Sequence, residues 1–164
     1  MPTQIAYTPA EWALLLGAPA LTALVLIHAA PCSPRLADRK LSLAIAAMTE
    51  PVRQGATSEL IQAVMDTVRA GPAARWPAAY PRDLGEVGQW ALAGCRQVAA
   101  LLAQKAPEAE AEAYARWLIS IGKQVALVHD NHPRQGYSSE THNERQHLAL
   151  EVLAAAFDMS ISTT

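Results

Sequence analysis

The chain has 164 residues, enough for one domain with a substantial core, and 51% of them are hydrophobic against 17% charged. Net charge is −2, and the 13 basic residues are scattered, which excludes the electrostatic footprint of a nucleic-acid binder. The apolar residues are mainly Ala and Leu, with a single Phe. That favours helix, where these side chains lose little entropy.

Thr8-Pro9-Ala10-Glu11 is a capping box with proline at the first helical position, a strong start signal. The helix it opens is expected over roughly 9–30, broken or kinked near Gly17–Pro19. From Trp12 to Pro34 there is no Asp, Glu, Lys or Arg, a stretch long enough to span a bilayer. Gly17, Pro19, His28 and Pro31 interrupt it, and no Lys or Arg precedes it. A buried helix is therefore expected, with neither a membrane span nor a signal peptide.

Ser33-Pro34 repeats the cap-plus-proline start, opening a second helix over 34–50. A third is expected over 58–70, capped by Thr57 or Ser58 and ended by Gly71. Residues 72–83, "PAARWPAAYPRD", read as an irregular crossing anchored by Trp76 and Tyr80. Helices over 84–105, 107–132 and 140–157 follow, with a flexible tail from 159 to 164. The expectation is an all-α fold, a single-domain antiparallel bundle of about six helices.

The segments "YTPAEWALLLGAPALTALVLIHAA", "SELIQAVMDTV" and "EAYARWLISIGKQVA" resemble successive blocks of a family of small, alanine-rich, all-helical bacterial proteins of unassigned function. The resemblance implies a fold and carries no catalytic residues. A second likeness lies between Val125 and Leu153. Its order of Ala126, Asp130, Gly136, Ser139 and Glu140 is similar to the helix–loop–helix of tellurite-resistance TerB-like proteins. That likeness implies a metal-associated acidic loop, and Trp12–Met48 reads as a degenerate second copy. Here the loop is "HDNHPRQGYSS", in which most of the acids are missing.

Four of the five histidines crowd into residues 128–147: His129, His132, His142 and His147. At about 100° per residue, Tyr114, Leu118, Ile121, Val125 and Val128 form one inward seam. His132 is its next step, and His129 lies beside it. His142 points into the arc of Ala149, Leu150 and Leu153, while His147 shares an outward acidic stripe with Glu140, Glu151 and Asp158. Three imidazoles, His129, His132 and His142, are thus expected to converge at one mouth of the bundle. Such a set reads first as a polar end-cap bonding helix-terminal carbonyls and loop hydroxyls; it would also suit zinc, nickel or copper, or a pH-sensitive or acid–base role. Glu144-x-x-His147 matches a di-iron half-motif, but no second copy exists. His28 reads as a core histidine.

Nucleotide-binding, hydrolase and zincin signatures are absent from the sequence, and nothing marks a catalytic centre. Cys32 and Cys95, far apart and outside any CxxC, read as free thiols of a cytoplasmic protein. Three functions remain open. The first is a helical structural or interaction module that self-associates, because the last helix carries Leu148 and Val152 on one side and Leu150 and Phe157 on another. The second is a metal-binding or metal-stress protein using the three histidines. The third is a sensor or carrier of an apolar small molecule, in a pocket lined by Trp90, Tyr114 or Trp117.

Overall fold

The computed structural model describes residues 6–53, 58–71, 83–128 and 139–159. The described residues form an all-α bundle of six helices: α1 (Pro9–Ile27), α2 (Pro34–Arg53), α3 (Glu59–Ala70), α4 (Val87–Lys105), α5 (Glu108–Ala126) and α6 (Ser139–Ala156). A 3₁₀ turn, Leu84–Glu86, leads into α4, and the described residues hold no strand. The crossing with Trp76 and Tyr80 lies outside them, as do the connection after α2 and the tail from residue 160.

The bundle is built around α1, which packs on all five other helices, most extensively on α4 and α5. A helix without polar residues on most of its circumference can be accommodated only in this way or in lipid. It is the one described helix long and apolar enough to cross a membrane, and it is mostly buried among its neighbours. Its start matches the sequence pattern. Thr8 Oγ1 accepts from the Glu11 amide at 3.3 Å, and Glu11 Oε2 accepts from the Thr8 amide at 2.7 Å. Tyr7 and Trp12 close the same turn as a hydrophobic staple, with ring centroids 6.1 Å apart. Lys105, in the last turn of α4, donates to the same Glu11 oxygen at 2.7 Å. The Lys105 ammonium, and next the Thr8 amide, hold the Glu11 carboxyl below its ordinary range.

Pro19 does not interrupt α1, which runs unbroken from Pro9 to Ile27. A proline removes the amide that would bond the carbonyl four residues earlier, here that of Leu15. Tyr114 of α5 replaces that donor: its hydroxyl donates to the Leu15 carbonyl at 2.7 Å, in the fully buried interior. Close approach of α1 and α4 is permitted by Gly94, where an added Cβ would stand 2.7 Å from Leu21 Cδ1. Just beyond, Thr22 Oγ1 and Cys95 Sγ face each other at 4.0 Å. Two further side chains satisfy helix ends from across the bundle. Glu110 Oε2 accepts from the Ser58 hydroxyl at 2.8 Å and the Leu60 amide at 3.0 Å, capping α3 from α5. Gln146 Nε2 donates to the Leu26 carbonyl in the last turn of α1, at 2.8 Å. Around these links, Leu15, Leu26, Leu118, Ile121 and Leu153 are fully buried, each worth about 2 kcal/mol in area removed from water.

The last helix ends in a Schellman motif. Asp158 adopts φ 53°, the Met159 amide bonds the Ala154 carbonyl at 2.9 Å, and the Asp158 amide bonds that of Ala155 at 3.1 Å. Asp tolerates this left-handed conformation less well than glycine. Asp158→Gly should therefore stabilise the protein by roughly 0.5–1 kcal/mol in urea titration; an unchanged or lower midpoint would contradict this account.

Four boundaries differ from expectation: α1 ends at Ile27 and not near 30, α2 runs on to Arg53 and not to 50, and the others lie in α4 and α5. The fifth helix stops at Ala126, well short of His132, where the Val128 amide reaches back to the Val125 carbonyl in a tighter turn. No glycine or proline marks that stop, so the pattern gave no warning of it. Leu84–Glu86 forms a 3₁₀ turn and not the first turn of α4.

Candidate functional site

The seam predicted for α5 is real as far as it extends: Tyr114, Leu118, Ile121 and Val125 are all fully buried. The helix that carries this seam ends at Ala126. His129 and His132 lie outside the described residues, and so does the loop to Tyr137. His142 is half-buried on α6, with Nε2 shielded from solvent. Among the described residues no group of three His, Cys, Asp or Glu side chains is placed to hold a metal ion. His147 is exposed, as its stripe predicts, and pairs with Glu151 at 3.1 Å. His28 is corrected: it is exposed at the C-cap of α1 and not buried in the core.

The aromatic residues considered for a ligand pocket belong mostly to the interior. Tyr114 and Trp117 are buried and meet edge to face, with centroids 5.2 Å apart. Trp90 packs partly buried against the core.

One concavity that the described residues form lies elsewhere. A groove of about 780 Å³ opens beside the first half of α4. One wall is the end of α1 and the turn after it, through Val25, His28 and Cys32. The floor takes Gly88 and Leu92 of α4, and the far wall is α6, with Arg145, Leu148, Ala149 and Val152. Gly88 lets the wall and floor meet, since a Cβ there would stand 3.3 Å from His28 Cβ. The volume falls within the ~300–1,000 Å³ of ligand sites, and apolar residues dominate the lining.

The far wall has a helix pattern of its own. Thr141, Arg145, Leu148, Val152 and Ala155 recur at steps of four, three, four and three, along a face separate from the buried one. Leu148 keeps 58% of its surface exposed and Val152 36%. α6 thus buries one stripe through Gln146, Leu150 and Leu153, presents acids on a second, and leaves Leu148 and Val152 of a third exposed at the groove's rim. Other large exposed apolar side chains are Ile45 and Leu43 on α2 and Leu127 after α5.

The two cysteines have opposite environments. Cys95 is fully buried, and burial pushes its thiol up to about 12, so it stays protonated and inert. Cys32 is half-buried, lines the groove, and sits immediately before Ser33, whose hydroxyl caps α2 by accepting from the Leu36 amide at 3.2 Å. Lys40, fully buried one turn beyond Leu36, was not singled out by the sequence; its amine has no hydrogen-bond partner. Burial lowers its basicity, opposed by the charge of Cys32.

Comparison with family models, curated proteins and solved structures finds no match to this chain.

Proposed function

We propose that the protein is a helical interaction module that self-associates through the exposed apolar stripe of α6. The observation that supports this is a ridge next to a groove. Leu148 and Val152 project at the rim of a concavity lined by Val25, Leu92 and Ala149. In a two-fold pair each partner presents the same patch, so a ridge beside a groove is self-complementary: each fills the other's hollow. Charge agrees with that occupant. Antiparallel pairing of two copies of α6 centred on Leu148 sets Arg145 of one copy against Glu151 of the other, the sign pairing that fixes register in helix seams. A cytoplasmic location forms part of the same proposal, on the free thiols Cys32 and Cys95.

Light scattering and sedimentation over a rising concentration series should give a dimer for the native chain. Leu148→Glu should weaken it by about 30-fold or more, the scale of a central apolar contact. The same variant should leave the thermal melt of the dilute protein within about 0.5 kcal/mol, because an exposed position contributes little to the monomer. A native chain that stays strictly monomeric at high concentration would sink the proposal.

A further inference from the structure

We propose that the groove between the end of α1, α4 and α6 is a binding site for a single-tailed carboxylate, an alkyl tail ending in one acid group, and that this ligand and a second copy of the chain exclude one another. The site stands on the groove alone; the competition rests on the self-association proposed above.

The groove is apolar along its length and basic at one end. Arg145, Leu148, Ala149 and Val152 of α6 all line it, at spacings of three and four that put them along one side of the helix. From Arg145 to Val152 that side runs about 10 Å along the axis, with the guanidinium first and only apolar lining after it. The Arg145 side chain leans further toward the helix N-terminus, away from the apolar part. Across the gap, Val25 and Leu92 continue the apolar surface. The 2.8 Å hydrogen bond from Gln146 to the Leu26 carbonyl fixes the last turn of α1 beside the start of α6. His28, two residues past Leu26, is thereby set toward the same end as Arg145, the residue before Gln146. The layout is that of an amphiphile, with a place for a polar head and a track for a tail.

Charge selects the head. Among the groove's described lining the ionisable side chains are His28, Cys32 and Arg145, and no carboxylate is with them. Partial burial of the ring lowers the basicity of His28, leaving it a neutral hydrogen-bonding group near pH 7 and Arg145 the standing cation. A guanidinium takes a carboxylate through two parallel N–H···O bonds. A second concavity, of about 680 Å³, carries Glu108, Glu112 and Asp158 and no basic side chain among its described lining. It repels the head that the first groove attracts, so one ligand per chain is expected. In the two-fold pairing of α6, the second copy brings the same two things: Leu148 and Val152 for the hollow, and Glu151 for Arg145. Two occupants that use one space and one cation exclude each other, and the ligand then favours the single chain by mass action.

The test is equilibrium dialysis of the dilute full chain against octanoate, decanoate and dodecanoate, each below its micelle-forming concentration. The expected result is one equivalent bound, with affinity rising about threefold per added methylene. Dodecyltrimethylammonium, the same tail under a cationic head, should bind at least tenfold more weakly. Arg145→Gln should weaken dodecanoate at least tenfold, whereas Lys123→Gln, at an exposed position of α5, should leave it unchanged. A circular-dichroism melt of each variant confirms that the protein dialysed is folded. At a concentration where the native chain sediments as a dimer, saturating dodecanoate should return it to the monomer. No saturable binding, many equivalents bound, equal affinity for the two heads, or undiminished binding by Arg145→Gln would each overturn the site. A dimer that persists with dodecanoate bound overturns the competition. A chain that is monomeric without ligand sinks self-association and the competition with it, while the dialysis still decides the site.

Discussion

Replacing Tyr114 by Phe will destabilise the bundle by about 1–3 kcal/mol, and much of that loss will disappear when Pro19 is also replaced by Ala. The expectation follows from one missing amide. Proline at position 19 leaves the Leu15 carbonyl without its helical donor, at a site sealed from water. The Tyr114 hydroxyl supplies the donor at 2.7 Å, and burial pushes its own ionisation well above the ordinary tyrosine range, so it remains a donor. Removing the hydroxyl leaves a buried carbonyl unsatisfied, the expensive case for a lost hydrogen bond. Pro19→Ala restores an amide to the same oxygen, so Tyr114→Phe should then cost about 1 kcal/mol less. Urea unfolding of the four proteins in this cycle measures the coupling, and the packing change at position 19 cancels from it. An equal cost of Tyr114→Phe in both backgrounds would show that the hydroxyl does not compensate the proline.

That pair also shows what could be read in the chain and what could not. Helix starts are local: Thr8 with Glu11, and Ser33 with Pro34, sit within four residues of each other, and the caps formed where their spacing put them. The α5 seam is local too, since a helical period needs only neighbours along one helix. The cap on Leu15 is not local, because its donor lies 99 residues away. Nothing near Pro19 announces Tyr114, and nothing near Ala126 announces that α5 ends there. The convergence expected of the histidines extends the α5 period beyond that unmarked stop. Leu148 and Val152 were legible as surplus apolar surface, but the hollow beside them needs α1 and α4 in place. Lys40 was legible in principle, standing at the Leu36–Ala44–Met48 spacing where an apolar residue belongs. A lysine in a seam is easily passed over, because its stem usually carries the amine out to water.

Lys40→Met should stabilise the protein by about 1–3 kcal/mol near neutral pH, the cost of a buried polar group without a partner. Met matches the stem of lysine and removes the amine, so the seam between Leu36 and Ala44 keeps its packing. The gain should also depend on pH, with a definite sign. Burial lowers the folded-state basicity of Lys40 below the ordinary 10.5, while the unfolded chain retains the ordinary value. Between the lowered folded value and 10.5, the unfolded state binds a proton that the folded state does not, so native stability rises with pH across that window. Below the window both states are protonated and the penalty is complete; above it both are neutral and only the neutral amine's burial remains. The advantage of Lys40→Met should therefore be largest at low pH and shrink as pH climbs toward 10.5. Tyr7 and Cys95 are also shifted upward by burial and Glu11 downward by Lys105, but they contribute equally to both proteins and cancel in the difference. Denaturant midpoints of native and variant chains at several pH values give that difference directly. A constant gap across the range would mean that the amine is already compensated in the folded state, and a gap that widened with pH would reverse the sign of the argument.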